Sequence, residues 1–165
     1  MYGFLWLARL LVLSLIMLWL SGCATEESRV GGVLKLKTNV TLTIRADETI
    51  NPDHQGVASP VFLRLYELSV DQAFEQADFI DLYNRESTAL GNTLVQRRQL
   101  PRVLPGDVQR HQLVLDSNTR YLGLVAEFYQ YERAVYKVVV PITARNVFRD
   151  RIELQISESQ ISVIN

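Results

Sequence analysis

The sequence predicts a mainly β protein, a two-sheet antiparallel β-sandwich with one inserted helical segment over about residues 69–84. Three observations support this class. Apolar and polar residues alternate with a period of two over several short segments, which is typical of strands with one buried and one solvated face. Turn-forming residues separate several of these segments. Because half-buried strands must cover their apolar sides, we expect two sheets packed face to face.

The N-terminal residues 1–22 have the pattern of a lipoprotein signal peptide. The uninterrupted apolar run over residues 10–20 would be about 16 Å long as a helix, against about 30 Å of membrane hydrocarbon. A run of this length fits a secretory signal better than a transmembrane helix. Small residues and then Cys23 follow at once, so we expect cleavage before Cys23 and a lipid on its thiol.

Cys23 is the only cysteine in the chain. The alternative to lipidation is an ordinary signal peptide that happens to be followed by a cysteine. That alternative would leave an unpaired reactive thiol in an oxidising compartment, which is unusual for an exported protein. Lipidation of Cys23 removes this anomaly.

Residues 23–32 are predicted to form a flexible tether, and residues 33–165 a single β-sandwich domain. The stretch over residues 24–32 is polar, ends in two glycines and has no hydrophobic periodicity. Residues 23–165 carry 16 basic and 18 acidic residues, because residues 1–22 contain one arginine and no acid. This small net negative charge gives no indication of nucleic-acid binding.

The first predicted strand lies within residues 34–45. Its apolar residues occupy even positions and its polar residues odd ones, over twelve residues. The same alternation predicts further strands at residues 61–65, 113–115, 122–128, 136–142, 152–156 and 161–163.

One segment has helical spacing instead. Ser69 is a suitable N-cap, and the apolar residues that follow it recur at i, i+3, i+4, i+7 and i+10, namely Val70, Ala73, Phe74, Ala77 and Ile80. We therefore expect a helix of three to four turns over residues 69–84. Residues 86–100 are expected to form a short helical or irregular piece around Gly91, followed by an edge strand.

The sequence gives little indication of an active site. It has two histidines, His54 and His111, and no nucleotide-binding or nucleophile motif. Asp78 and Asp81 stand at i, i+3, which fits a solvated helix surface better than a catalytic pair. His111 alternates in phase with Leu113 and fits a structural role. We therefore expect no enzymatic activity, no metal and no bound cofactor.

The connection after the first strand is unusually long. The stretch over residues 47–60 places fourteen residues between two predicted strands, whereas most connections have about four to six. Connections of this length usually carry function or are disordered. The loop is acidic, and a mobile loop without a partner is the alternative interpretation. Two other connections, around Tyr131 and Phe148, place an aromatic residue beside arginine, as protein interfaces often do.

Several motifs resemble the outer-membrane lipoprotein of type VI secretion systems, the TssJ/VasD/SciN family. The resemblance is carried by the sequence SPVFLRLYEL at residues 59–68, by Phe74, and by ADFIDLY at residues 77–83. It continues through LPG at residues 104–106 and LGLVAEF at residues 122–128. One departure is Tyr136-Lys137, where relatives often carry Trp-Arg. Any interaction assigned to that strand therefore stays open.

The resemblance implies a transthyretin-like β-sandwich with no catalytic role and with no cofactor apart from the covalent lipid on Cys23. It implies anchoring in the inner leaflet of the outer membrane, with the protein facing the periplasm. Ala24 agrees with this sorting, because aspartate after the lipidated cysteine is the familiar signal for inner-membrane retention. The implied partner is the periplasmic C-terminal region of the large inner-membrane subunit, a TssM/IcmF-like protein.

The family's partner-binding loop lies between the first two strands and maps here onto residues 47–60. The candidate partner-binding residues are therefore Asp47, Glu48, Asn51, Pro52, Asp53, His54, Gln55 and Gly56. The alternative function is that of another periplasmic lipoprotein binding module, either pilotin-like or small-ligand-binding. Such a protein would share the signal peptide and differ in its partner.

Overall fold

The computed structural model describes residues 38–142 and 151–164. The predicted signal peptide, Cys23, the predicted tether, the first residues of the first predicted strand and Phe148 lie outside the described residues. Within them the strands are β1 (Thr38–Ala46), β2 (Leu63–Leu68), β3 (Leu94–Gln99), β4 (Val108–Leu115), β5 (Tyr121–Ala126), β6 (Lys137–Pro141), β7 (Arg151–Ser157) and β8 (Gln160–Ile164). The helices are α1 (Gln72–Gln76), α2 (Phe79–Asn84) and α3 (Glu86–Leu90), with 3-10 turns at Gly91–Thr93 and Tyr131–Arg133.

The strands form two four-stranded sheets. Sheet 1 has the order β4-β1-β7-β8, and sheet 2 has the order β3-β2-β5-β6. The predicted mainly β, two-sheet architecture is confirmed. One pair departs from the predicted antiparallel pairing, because β1 and β7 run parallel, with Leu42 opposite Ile152 and Ile44 opposite Leu154. Alternation indicates which side of a strand is buried, but it does not indicate the direction of the neighbouring strand.

The main core lies between the two sheets. Even-numbered β1 residues point into it, as the alternation predicts, and Val40, Leu42 and Ile44 are buried there. Sheet 2 contributes Leu63 and Leu65 from β2 to the same core. The period of two in the sequence thus identifies the inward face of each of these strands.

The outer face of sheet 2 is covered by a helical layer formed by α1, α2 and α3. A second apolar cluster fills this interface, made of Tyr66, Leu68, Phe74, Ala77, Phe79, Leu82, Leu90 and Val125. The hydroxyl of Tyr66 donates a hydrogen bond to the carbonyl oxygen of Leu82 at 3.0 Å. Strand β2 is therefore buried on both faces, between sheet 1 and the helical layer.

The prediction of one continuous helix over residues 69–84 is wrong. Ala77 has an extended backbone (φ −66°, ψ 138°), which ends α1. Asp78 is also extended, and its carboxylate accepts a hydrogen bond from the backbone N–H of Asp81 at 2.7 Å, which caps α2. The predicted N-cap has another partner, because the Ser69 hydroxyl lies 3.3 Å from the carbonyl oxygen of Thr93.

The break also changes which residues are buried. Val70 and Ile80, which a continuous helix would place on the buried stripe, are 47% and 40% exposed. Phe79 and Leu82 are buried in their place, together with Phe74. Because α2 starts anew at Asp78, its apolar face has a different phase from that of α1, and both helices turn aromatic side chains onto sheet 2.

Lys137 at the start of β6 holds the C-terminal end of α1. Its ammonium group donates to the carbonyl oxygens of Phe74 at 3.0 Å, Glu75 at 2.8 Å and Ala77 at 2.6 Å. A cation at this end of a helix satisfies carbonyls that have no partner within the helix. Burial lowers the pKa of Lys137, although the nearby carboxylates of Glu75 and Asp78 oppose this effect. Lys137, the second residue of the Tyr136-Lys137 departure, therefore has a structural role.

The connections between strands gather at the two ends of the sandwich. Strand β1 begins at Thr38, opposite Leu115, and finishes at Ala46, opposite Ile156 of β7. The end where β1 finishes is called here the loop end. It contains residues 47–60, 101–107, 128–134 and 158–159.

Candidate functional site

The long connection over residues 47–60 is a compact, hydrogen-bonded loop. Ile50 is fully buried and fixes the first half of the loop to the core. The Asp53 carboxylate accepts from the backbone N–H groups of Gln55 at 2.8 Å and Val57 at 2.9 Å. Gly56 adopts a φ of +80°, a conformation that glycine reaches without steric cost. These contacts form a tight tip over residues 53–57.

Asn51 joins the loop to two neighbouring connections. Its side-chain amide donates to the carbonyl oxygen of Pro60 at 2.7 Å and accepts from the backbone N–H of Tyr129 at 2.6 Å. Its own N–H donates to the carbonyl oxygen of Glu158 at 2.6 Å. Its φ of +48° lies in the left-handed region, which asparagine adopts more readily than most residues.

The position of Asn51 corrects one assignment made from the sequence. Asn51 is 4% exposed, so its side chain is not available as a surface contact for a partner. Its hydrogen bonds instead give it a positioning role, because they hold the loop in one conformation against residues 128–134.

Residues 128–134, between β5 and β6, form a second wall beside the loop. The side-chain amide of Gln130 donates to the carbonyl oxygens of Pro52 and Asp53, both at 3.2 Å. The rings of His54 and Tyr129 meet edge to face, with centroids 5.2 Å apart. Between the walls lies a groove of about 340 Å³, lined by His54, Tyr129, Gln130, Tyr131, Glu132 and Arg133.

The helical layer supports this groove from below. Tyr131 stacks on Phe79 of α2, with ring centroids 4.2 Å apart and an interplanar angle of 14°. Phe79 also stacks on Tyr83, with ring centroids 5.6 Å apart. The guanidinium of Arg64 lies over the Tyr83 ring, 4.4 Å from its centroid. A continuous stack therefore runs from the groove to β2.

Arg64 is also ion-paired with Glu127 at 2.5 Å. Burial by itself would lower the pKa of Arg64, but the hydrogen bond and charge of Glu127 outweigh it and raise the pKa above its ordinary value. Arg64 and Tyr66, with Phe79 and Leu82, belong to the motifs that carry the family resemblance. These motif residues build the helical layer on sheet 2, while the candidate contact residues lie elsewhere, in the loop.

The structure brings the predicted partner-binding residues together at the loop end. Five of them are exposed, namely Asp47, Glu48, His54, Gln55 and Gly56, and Pro52 and Asp53 are half-buried. The sequence also selected the connection around Tyr131, and the structure places it directly against the loop. Glu158 is not among the predicted partner-binding residues, because the serines on either side of it indicate only a turn.

The other residues considered for chemistry have structural surroundings. His111 is half-buried on β4, with its Nε2 3.2 Å from Oε1 of Gln109, and burial lowers its pKa. Asp78 caps α2, and Asp81 pairs with Arg85. Over residues 38–142 and 151–164, no group of three or more His, Cys, Asp or Glu residues is placed to hold a metal ion. The helices of this part of the chain are all too short or too polar to cross a membrane.

Comparison with known proteins gives one consistent family. The model of the type VI secretion lipoprotein family, described as VasD, EvfM and TssJ, matches residues 38–159. The structure is similar to that of the lipoprotein TssJ1 of the Pseudomonas aeruginosa type VI secretion system. That match has 31% identity and a TM-score of 0.72, and it covers 78% of this chain and 96% of that chain. A search of the curated proteins found no match.

Two further solved structures share the fold. Lip of Serratia marcescens, a membrane-bound component of the type VI secretion system, is 22% identical with a TM-score of 0.69, covering 79% of this chain and 98% of that chain. A chain of a type VI membrane complex is 21% identical with a TM-score of 0.68, covering 79% of this chain and all of that chain (100%). Since the family model spans most of the sequence, the chain belongs to the type VI secretion lipoprotein family.

Proposed function

We propose that this protein is a non-catalytic, outer-membrane-anchored lipoprotein of the type VI secretion membrane complex. Its loop end docks the periplasmic C-terminal region of the inner-membrane TssM/IcmF-like subunit. Membership of the lipoprotein family supports the setting, and the ordered, exposed loop end supports the docking role. The observation that carries the proposal is the position of the loop end relative to the start of β1.

The chain enters β1 at Thr38 and reaches the 47–60 loop only after the whole length of that strand. Nine residues of strand at about 3.3 Å each make a separation of about 30 Å. An anchor N-terminal to β1 therefore joins the domain at the end opposite the loop. In this proposal a lipid on Cys23 holds the protein at the membrane and leaves the loop end free to meet a partner in the periplasm.

The anchor is the proposed lipid on Cys23. Each methylene buried in the bilayer contributes about 0.8 kcal/mol, and one acyl chain alone gives only marginal binding. We therefore expect more than one chain on the mature N-terminus. Mass spectrometry of the purified native protein should find an acylated residue 23 at the N-terminus, whereas an unmodified thiol or an uncleaved leader would contradict the anchor.

Docking is tested by co-purification from membranes of cells that carry the secretion system. Gln55→Arg places a long cationic side chain on the exposed tip of the loop, where it should block close approach of the partner. Asn118→Arg is the matched control, because Asn118 is exposed in the turn after β4, at the opposite end of the sandwich.

The inner-membrane subunit should co-purify with the unaltered protein and with Asn118→Arg, and it should be lost with Gln55→Arg. Both variants should unfold at the temperature of the unaltered protein, since neither position is buried. Equal recovery of the partner with Gln55→Arg would remove the loop from the docking site.

A further inference from the structure

We propose that the groove between the 47–60 loop and residues 129–133 binds a segment of the partner protein that carries lysine or arginine. This inference rests on the docking function proposed above and names its contact chemistry. The 47–60 loop is then only one wall of the docking site, and Tyr129, Tyr131 and Glu132 supply the other.

The two walls behave as one surface because they are bonded to each other. Asn51 accepts the N–H of Tyr129 at 2.6 Å, and Gln130 donates to two carbonyl oxygens of the loop at 3.2 Å each. The His54 and Tyr129 rings are in edge-to-face contact, 5.2 Å between centroids. A partner that touches His54 at the tip of the loop therefore also meets Tyr129.

The loop by itself offers too little surface for a stable complex. A standard interface involves about 20–30 residues and buries about 800 Å² on each partner. The loop has fourteen residues, and Ile50 and Asn51 among them are buried. Residues 128–134 are the adjoining surface that the bonds of Asn51 and Gln130 hold in place.

Tyr129 has the properties of an interface anchor. It is 61% exposed, although aromatic side chains usually bury most of their surface in a folded domain. Tyrosine is enriched among the residues that dominate binding energy, because a rigid ring gives a large contact area with few rotatable bonds. The neighbouring Tyr131 is held in place by its stack on Phe79, so the groove is already formed before the partner arrives.

Charge indicates the occupant. The loop end contains two basic residues, Arg102 and Arg133, and six acidic ones, namely Asp47, Glu48, Asp53, Asp107, Glu132 and Glu158. Within the part of the chain that the structure describes, none of these six carboxylates is in a salt bridge. Two tyrosine rings and the carboxylate of Glu132 line the same groove, and such groups together favour a guanidinium or ammonium group.

The aromatic part of the proposal is tested by calorimetric titration. The full protein is titrated with the purified periplasmic domain of the inner-membrane type VI subunit from the same organism. Tyr129→Ala should weaken binding at least tenfold, as truncation of a central aromatic anchor usually does. Val114→Ala is the control, because Val114 is also an exposed apolar residue (47%) but lies opposite Asn39, at the end of the sandwich away from the groove. It should change the Kd less than threefold.

The charge part is tested with two adjacent residues. Glu132→Lys should weaken binding about threefold to tenfold, and Arg133→Glu should strengthen it about twofold or more, because rim charges change long-range attraction. Binding should also weaken as the salt concentration rises from roughly 50 to 300 mM. Stronger binding by Glu132→Lys together with weaker binding by Arg133→Glu would indicate an acidic partner segment and would overturn the proposal.

The outcomes separate this inference from the docking function itself. Binding by the unaltered protein with a tenfold loss for Tyr129→Ala supports the groove. Binding that Tyr129→Ala leaves unchanged overturns the groove while the docking function stands. If the unaltered protein does not bind the domain, the docking function fails and the groove assignment fails with it.

Discussion

Gly123, in the middle of β5, is the position where one added methyl group tests the packing of the helical layer on sheet 2. A Cβ at this position would lie 2.7 Å from Cζ and 2.8 Å from Cε2 of Phe74. Phe74 is 1% exposed, and its ring packs at 5.6 Å from that of Tyr66, so it has little room to move. Overpacking of this kind usually costs about 1–3 kcal/mol. We therefore expect Gly123→Ala to lower the free energy of unfolding by that amount, although alanine is ordinarily better than glycine in a strand by about 0.5–1 kcal/mol.

A second experiment tests whether contact with the Phe74 ring causes this loss of stability, by making Gly123→Ala in a protein that lacks the ring. Phe74→Ala alone should cost about 3–5 kcal/mol, because it removes a buried aromatic side chain. In the Phe74→Ala background the new methyl group meets no ring, and Gly123→Ala should be neutral or stabilising by up to about 1 kcal/mol. The two substitutions should therefore show a coupling energy of at least about 1 kcal/mol.

The four free energies are measured by urea unfolding followed by far-ultraviolet circular dichroism. Tryptophan fluorescence is unsuitable, since both tryptophans lie within residues 1–22, which we expect to be removed. A cost of Gly123→Ala that is the same with and without the Phe74 ring would refute the reasoning.

Three further predictions concern single residues. Burial lowers the pKa of His111, so the unfolded chain binds more protons and stability should decline as pH falls below about 6.5. His111→Gln should flatten that decline in urea midpoints, and identical slopes would contradict this. Lys137→Met removes three hydrogen bonds and should lower the free energy of unfolding by about 1–3 kcal/mol. Amide hydrogen exchange in α1 should become faster. Unchanged exchange in α1 would show that these bonds do not stabilise the helix. Asn51→Ala should speed hydrogen exchange at the Tyr129 amide, because it removes the oxygen that this N–H bonds to. Equal exchange in the variant and the unaltered protein would count against the positioning role.

The strands and their inward faces could be predicted from the sequence because alternation is a local signal. Val40, Leu42 and Ile44 lie in the core as their spacing predicts. The edge strand after Gly91 is also confirmed, as β3 at the edge of sheet 2. The parallel pairing of β1 with β7 could not be predicted, since it joins segments about 110 residues apart and leaves no local pattern.

The helix break was missed for a different reason. The apolar spacing from Val70 to Ile80 is compatible with one continuous helix. Phe79 is buried and Ile80 is exposed because of how α2 packs on sheet 2, which the spacing does not show. The i, i+3 spacing of Asp78 and Asp81 predicts a solvated helix surface, but aspartate is also a preferred N-cap residue, and this second property indicates the start of α2 at Asp78.

The candidate site was found only in part. The length of the 47–60 connection is visible in the sequence and selects the loop. The buried position of Asn51 cannot be seen in the sequence, because it depends on hydrogen bonds to Pro60 and to Tyr129, which lies 78 residues away. The sequence also contains two connections with an aromatic residue beside arginine, around Tyr131 and Phe148, and does not indicate which one belongs to the site. In the folded chain Tyr131 lies in the groove beside the 47–60 loop.

The central claim is that the loop end, and not the opposite end of the sandwich, contacts the inner-membrane subunit. It is tested most directly by photocrosslinking in cells that carry the secretion system, with a photoreactive residue at position 55 or at position 118. Position 55 should give an adduct with the inner-membrane subunit, and position 118 should give none. An adduct from position 118 without one from position 55 would contradict the account.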